Sequence, residues 1–432
     1  MGTENTATME QTEISKDRNN FRLKDYHSFK HRESHLDVLI EKTKINQSEF
    51  KGFYNLIVTI MILYVFTLPI YNYLNKGYFF KLKMLQKMFK DLQYIILVWP
   101  LFHFWTYFSY LQQLLILKGF PKLFISLFEI ISQLGIFGIS SYICLKYDLC
   151  TSQLIFTVSQ CIIHFFKMNS YSKINRDYRL DYLLKKKVGE TPNSSYPNNI
   201  NFSNFFYFLR APVFIYQESY PRTTRLRYNY FILKSMKAFF CLILVYNVYS
   251  EHIEPVMPTM LKYSLLELLF RLYFPIFVFC LILFYLIFEC LVPAYAELAT
   301  FGDREFYDDW WNSTDFEEFN RKWNKMVHMF LYMHVYLECI NQYKLRPYTS
   351  KLITFLISAI MHEYCLCVII RLFRPYMTIL MMFQIPLIHY GKRYLKNSTM
   401  GNYLFWFGIV IGNSLIFILY YRSYVMEYGF DH

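Results

Sequence analysis

Two ionisable residues, His362 and Glu363, interrupt the apolar run 352–370 of a 432-residue chain. Ionisable groups at membrane depth are costly and face a protein interior or a wet cavity. On a helix, Ser358 stands one turn before His362, so the two project from one face. Such a histidine is a candidate functional residue; the competing reading is a structural histidine bonded to a neighbouring helix. A His-Glu pair also opens the zinc-protease motif, but position 366 is leucine where the second histidine would stand, so no zinc site is expected. A second group is Trp323-Asn324-Lys325-Met326-Val327-His328, in which Asn324 and His328 are one helical turn apart. An asparagine amide can donate to an oxygen that gains negative charge in a transition state. A histidine can orient or polarise a bound carbonyl. The competing reading is the polar start of an interfacial helix.

The elements that must position these residues are apolar. Hydrophobic residues make up 55% of the chain and aromatic residues 21%, with only 18% charged. So few charges cannot cover a soluble globule, and the chain is too apolar to be disordered or collagen-like. The composition calls for many membrane spans. Candidate runs are 53–73, 94–117, 123–145, 154–166, 230–249, 263–295, 327–340, 352–370, 376–390 and 403–421. Eight are long; 154–166 and 327–340 are short. The expected fold is all-α, a polytopic helical bundle of about eight to ten spans. The runs are too long and uninterrupted for β-barrel strands. No internal repeat is visible, which argues against a transporter built from duplicated halves.

The net charge is +13. Most basic residues flank apolar runs, so they set orientation against an anionic leaflet and do not call for nucleic acid. The nine cysteines lie in or beside apolar runs without a Cys-x-x-Cys, so zinc and disulfide frameworks are weak readings. Residues 1–50 read as a polar, flexible cytosolic tail ahead of a membrane-embedded domain over 51–432. The tail and the loop 167–228 are both basic, and four intervening spans put both in the cytosol. The basic segment 76–90 then falls on the opposite side, a conflict relieved if 79–89 lies along the interface as an amphipathic stretch. The polar stretch 301–326, dense in functional residue types, is expected in the cytosol.

The segment Phe306-Tyr307-Asp308-Asp309-Trp310-Trp311-Asn312 resembles the Phe-Tyr-x-Asp-Trp-Trp-Asn signature of membrane-bound O-acyltransferases that esterify sterols or diacylglycerol. Phe301-Gly302-Asp303-Arg304 upstream fits the same family, and Trp323-Asn324, Val327-His328 and His362-Glu363-Tyr364 follow in the expected order. Lys167-Met168-Asn169-Ser170-Tyr171, Tyr207-Phe208-Leu209-Arg210-Ala211-Pro212 and Ser219-Tyr220-Pro221-Arg222 match as well, so the resemblance covers about residues 90–425. It implies helices around an intramembrane catalytic chamber, with His362 as catalytic residue and Asn324 as its partner. Arg321, His328, Tyr336 and Ser358 would contact acyl-CoA, with Lys351 or Arg346 as a further basic contact. The signature residues Phe306, Tyr307, Asp309, Trp310, Trp311 and Asn312 would be structural or close to coenzyme A. Acyl-CoA is the co-substrate, with no further cofactor and no metal. The resemblance also implies an endoplasmic reticulum membrane location and a homo-oligomer.

On this footing a neutral His362 takes the proton of the acceptor hydroxyl, and Asn324 stabilises the oxyanion. Burial would lower the pKa of His362 and keep the base form available. Glu363 would oppose that, or simply hydrogen-bond within the bundle. For the acceptor, Tyr216-Gln217-Glu218-Ser219-Tyr220, Asn312-Ser313-Thr314 and His334-Val335-Tyr336 resemble sterol enzymes, whereas Gln384-Ile385-Pro386-Leu387 resembles diacylglycerol enzymes. Gln384 could bond a glycerol oxygen. The expectation favours a sterol, with diacylglycerol as the alternative. A lipid-binding membrane protein without catalysis is the reading from another class.

Overall fold

The computed structural model describes residues 29–41, 51–81, 86, 89–395 and 398–429. In chain order its helices are α1 (His35–Glu41), α2 (Lys51–Lys76), α3 (Leu92–Leu117), α4 (Lys122–Lys146), α5 (Thr151–Val188), α6 (Phe202–Arg210), α7 (Tyr228–Val248) and α8 (Leu265–Tyr285). They continue as α9 (Val292–Leu298), α10 (Phe316–Lys322), α11 (Lys325–Leu331), α12 (Leu337–Asn341), α13 (Pro347–Ile370), α14 (Tyr376–Tyr394) and α15 (Thr399–Tyr428). Three π-helical segments sit within this series, at Tyr249–Ile253, Leu286–Leu291 and Tyr332–Tyr336. No β-strand occurs among the described residues, so the all-α expectation holds.

The chain divides into two compact units. One comprises 91–221 and 326–358 together with residues up to 30; the other comprises 31–90, 222–325 and 359–432. In the first, α3, α4 and α5 share a polar seam. Gln112 and Gln133 each donate an amide N–H to the Glu129 carboxylate, at 2.8 and 3.1 Å. Ser172 donates to Gln112 at 2.7 Å, and Asn169 to Gln133 at 3.1 Å. Interhelical bonds of this kind tie helices together where packing against lipid gives no hydrophobic drive. In the second unit, Leu244, Val248, Met260, Leu268, Leu272 and Ile418 belong to one apolar core fed by α7, α8 and α15.

Six helical stretches among the described residues are long and apolar enough to cross a membrane: Asn55–Lys76, Lys122–Lys146, Tyr228–Lys262, Leu265–Leu298, Pro347–Ile370 and Thr399–Tyr428. The expected eight to ten also counted 94–117, 376–390 and the two short runs. Polar side chains interrupt three of them, such as His103, Gln112 and Gln113 in α3 and Gln384, His389, Lys392 and Arg393 in α14, and the run 327–340 lies in a helical stretch, 325–341, too short to count. The run 154–166 is not a short span followed by a loop. It is the first third of α5, a single 38-residue helix. At about 1.5 Å per residue, α5 far exceeds a hydrocarbon core of about 30 Å. No proline or glycine breaks it, and it stops only at Gly189, whose φ of 75° closes the last turn in the left-handed region that glycine tolerates.

Two of the five lysines in the basic segment 76–90 meet acids. Lys76 pairs with Glu251 at 2.8 Å and Lys81 with Glu254 at 2.6 Å. The amphipathic stretch expected over 79–89 falls partly outside the described residues. Most of the 1–50 tail lies outside them too, but its described part, 29–41, is well anchored. Arg32 donates its backbone N–H to Gly302 at 3.0 Å and accepts from Arg304 at 2.8 Å, and its guanidinium pairs with Asp303 and Glu305.

Candidate active site

The signature segment is built from the backbone outward. After α9 the chain turns at Thr300 and pairs Phe301 with Arg222 and Asp303 with Arg32 in two isolated bridges. Tyr307 then points inward and donates its hydroxyl to Glu289 at 2.6 Å. Glu289 sits in the π-helical segment Leu286–Leu291 and is 2% exposed. It also receives the Ser34 hydroxyl and the Lys234 ammonium, the latter at 3.1 Å. Lys234, on α7 and 1% exposed, meets Asp37 of α1 at 3.0 Å. A buried carboxylate with one cation and two hydroxyl donors is satisfied, whereas stripping any of them leaves a costly charge. A second pairing lies alongside: buried Arg304 is held by Glu297, which Arg227 also contacts at 3.3 Å.

Trp310 fills the next layer. Its ring lies 5.1 Å from Phe284, 5.4 Å from Trp323 and 5.6 Å from Trp406, edge-on or tilted in each case. Trp311 and Ser313 offer their carbonyls to the Asn402 amide at 3.0 and 2.8 Å, which seats the start of α15. Asn312 is exposed and donates to Asp309 at 3.2 Å. Asp309 pairs with Lys322 at 2.9 Å. Partial burial works against the Asp309 charge, but Lys322 and the Asn312 amide outweigh it and hold the carboxyl below its ordinary range.

This segment grips the turn that carries Asn324. The Asp308 N–H donates to the Lys322 carbonyl at 2.9 Å, and the Lys325 N–H donates to the Phe306 carbonyl at 3.0 Å. The Lys325 ammonium adds pairs to Glu305 at 2.9 Å and Asp308 at 3.2 Å. Asn324 stands half-buried between α10 and α11, its backbone fixed on both sides.

His362 lies on α13, with Ser358 half-buried one turn earlier. The burial expected of His362 is not what is found. Its side chain is exposed, and the buried member of the pair is Glu363 at 5% exposure. Successive residues on a helix point about 100° apart, so the two cannot share an environment. Glu363 accepts the Thr378 N–H at 2.9 Å and the Tyr420 hydroxyl, joining α13 to α14 and α15. Its carboxylate serves the bundle.

The residues expected to meet acyl-CoA divide by position. His328 on α11 and Tyr336 at the end of Tyr332–Tyr336 are half-buried. Tyr332 links them in a ladder, 6.3 Å from His328 and 5.6 Å from Tyr336 between ring centroids. Arg321 is exposed in the last turn of α10, Lys351 is exposed early in α13, and Gln384 is half-buried on α14.

Lys234, Glu289 and Glu297 escaped the sequence reading, as did the anchoring of Arg32, Ser34 and Asp37. A signal was present for the first three: charged residues inside the apolar runs, Lys234 and Lys237 in 230–249 and Glu267, Arg271 and Glu289 in 263–295, with Glu297 just beyond. For the N-terminal residues none was, because their partners lie about 190 or more positions away in the chain.

A model of the membrane-bound O-acyltransferase family matches residues 139–421. Among similar proteins is a probable sterol O-acyltransferase 1 of Schizosaccharomyces pombe, 34% identical over 248 residues, covering 55% of this chain and 46% of that protein. Diacylglycerol O-acyltransferase 1B of Glycine max is 32% identical over 282 residues, covering 62% and 56%. Diacylglycerol O-acyltransferase 1 of Dictyostelium discoideum is 27% identical over 410 residues, covering 90% and 64%. The chain thus spans about half the length of the first of these relatives. With 283 consecutive positions matched and a bundle of membrane-crossing helices to carry them, the chain belongs to the membrane-bound O-acyltransferase family.

Proposed function

We propose that the protein is an acyl-CoA-dependent O-acyltransferase that esterifies the hydroxyl of a sterol with a long-chain fatty acyl group. The observation that carries the acyl-transfer reading is the grip of the signature segment on the Asn324 turn. A backbone fixed on both sides limits where the Asn324 amide can be presented, and preorganised donors are what stabilise a developing oxyanion. The exposed His362 ring is within reach of a substrate, as a base must be. The sterol preference rests on the sequence resemblances around Tyr216–Tyr220, Asn312–Thr314 and His334–Tyr336.

In this mechanism His362 takes the proton from the acceptor hydroxyl as its oxygen attacks the thioester carbonyl. Asn324 donates to the resulting oxyanion. The carbonyl re-forms, the carbon–sulfur bond breaks, and coenzyme A leaves as a thiol with the proton from His362. No covalent acyl-enzyme is needed. General-base help of this kind supplies about 10²–10⁴ in rate. The setting is the endoplasmic reticulum membrane, in a homo-oligomer, with acyl-CoA entering from the cytosol and the acceptor from the bilayer.

A second acceptor, diacylglycerol, is favoured by half-buried Gln384 on α14 and by the similarity to diacylglycerol O-acyltransferases. The test is acyl transfer in microsomes carrying the wild type or His362→Ala, given labelled oleoyl-CoA with either acceptor. Label in steryl ester, lost in the variant, supports the proposal. Label in triacylglycerol moves the assignment to diacylglycerol and makes Gln384 the next residue to change. No ester from well-expressed protein would leave lipid binding without chemistry.

A further inference from the structure

One face of α5 grips the π-helical segment that carries the ring ladder. Ser170, Lys173 and Arg176 recur every three residues, so they line one side of the helix. Ser170 meets the His334 ring nitrogen Nε2 at 2.9 Å and accepts the Tyr216 N–H at 2.9 Å. Lys173 donates to the His334 carbonyl at 2.9 Å and pairs with Glu338. Arg176 donates to the other Glu338 oxygen at 3.1 Å. His334 and Glu338 are both buried. All five residues belong to the first compact unit, as do His328, Tyr332 and Tyr336.

The need for such a grip follows from helix geometry. A π-helical turn shifts backbone bonding from i→i+4 to i→i+5, so the ordinary carbonyl pairing is interrupted there. The His334 carbonyl lies in that turn, and the Lys173 ammonium serves it. The rings of His328, Tyr332 and Tyr336 stand nearly parallel, with interplanar angles of 24° and 20°. Tyr332 and Tyr336 both lie in this turn, and the α5 face holds the turn. Such turns recur at functional sites.

We propose that Ser170, Lys173 and Glu338 are positioning residues for acyl-CoA binding: they hold the Tyr332–Tyr336 turn so that His328 and Tyr336 present their rings to the acyl-CoA. This rests on the acyl-transfer reading above. The residues act through the turn, so their loss changes acyl-CoA affinity and leaves the proton transfer at His362 in place.

The test measures two quantities on the full chain. Kinetics in microsomes give KM for oleoyl-CoA, KM for the lipid acceptor, and kcat. Equilibrium binding of a non-transferable oleoyl-CoA thioether to purified protein gives Kd independently of turnover. Ser170→Ala, the mildest change, and Glu338→Gln should each raise KM and Kd for the acyl-CoA about tenfold while moving kcat and the acceptor KM less than about threefold. Lys173→Arg should behave as wild type, and Lys173→Met should match Glu338→Gln. A merely structural role lowers the active fraction, which reduces Vmax and leaves both KM values unchanged; that pattern overturns the proposal. Wild type that transfers acyl groups, with variants of unchanged KM and Kd, rejects the grip and keeps the function. Wild type that neither transfers acyl groups nor binds the thioether rejects both.

Discussion

The carbonyl oxygen of Phe306 accepts the backbone N–H of Lys325 at 3.0 Å, directly beyond Asn324 in the chain. On the other side, the Lys322 carbonyl is held by the Asp308 N–H. The signature segment therefore holds the turn of the proposed oxyanion donor through main-chain bonds, and its Asp308 and Asp309 side chains add pairs to Lys325 and Lys322 on either side. Tyr307 reaches Glu289, and Trp310 packs against Phe284 and Trp323. This arrangement separates residues that would do chemistry from residues that hold them, and each group has its own experimental mark.

Asn324→Ala removes a donor without disturbing the main-chain bonds on either side. Its kcat for acyl transfer should fall by about 10²–10³, the usual loss for one oxyanion donor. Thermal melting should stay close to wild type, because the side chain is only half-buried. Steady-state kinetics with oleoyl-CoA, alongside melting in detergent, measures both. An unchanged kcat would remove Asn324 from the mechanism.

His362→Ala should lower kcat by about 10²–10⁴, the typical contribution of general-base help. The exposed imidazole contributes little to packing, so the variant should express and melt like wild type. Loss of activity together with a large drop in melting temperature would return His362 to a structural role.

Glu363 is predicted to be structural, and two variants divide the possibilities. Glu363→Gln keeps an oxygen for the Thr378 N–H and an amide that can donate to the Tyr420 hydroxyl. Its activity should stay within about threefold of wild type. Glu363→Ala leaves both donors without that acceptor and should lower stability by about 1–3 kcal/mol. Activity per folded molecule, from a titrated active fraction, is the deciding measurement; a Gln variant that is folded but inactive would make Glu363 a participant in the chemistry.

The contrast between His362 and Glu363 shows how far a sequence reading reaches. The interruption of an apolar run marked both residues, and helical spacing put Ser358 on the face of His362. Which of the two adjacent side chains would be buried depends on what packs against α13. Tyr420 and Thr378 supply that answer from 57 and 15 residues away. The same limit applies to α5. Its apolar first third reads as a short span, yet the polar remainder contains no helix breaker before Gly189, so the helix continues. The motif residues around Phe306–Asn312 were recognisable, but Glu289, which Tyr307 bonds, and the Ser34 and Lys234 that share its carboxylate come from three other segments, and such long-range pairings leave no local pattern.

The Lys234–Glu289 pair should be far more sensitive to losing one member than both. Lys234→Met leaves a buried carboxylate without its cation, which typically costs about 3–5 kcal/mol. Lys234→Met combined with Glu289→Gln removes the charge imbalance and should recover much of that loss. Fluorescence-detected size exclusion of detergent extracts after graded heating follows the ordering. A double variant as unstable as Lys234→Met alone would show that the cation acts elsewhere, with Asp37 as the next partner to change.

Asp309 gives a pH dependence whose sign is fixed by its neighbours. Lys322 and the Asn312 amide hold its folded-state pKa below the unfolded value of about 3.9, against the opposing effect of partial burial. Such a group binds more protons unfolded than folded in the range between the two values. Its stabilisation is fully present above the unfolded value and is lost as pH falls through the folded one. Melting temperature should therefore drop more steeply for wild type than for Asp309→Asn as pH is lowered from about 5 to about 3. The difference should be small, because the Asp309 side chain is 39% exposed and water screens the pair. Raising the salt should narrow it further, since screening weakens exposed pairs most. Parallel melting curves for the two proteins across this range would mean that Lys322 does not stabilise the Asp309 carboxylate, and that the Asn324 turn is held by its main-chain bonds and Lys325 alone.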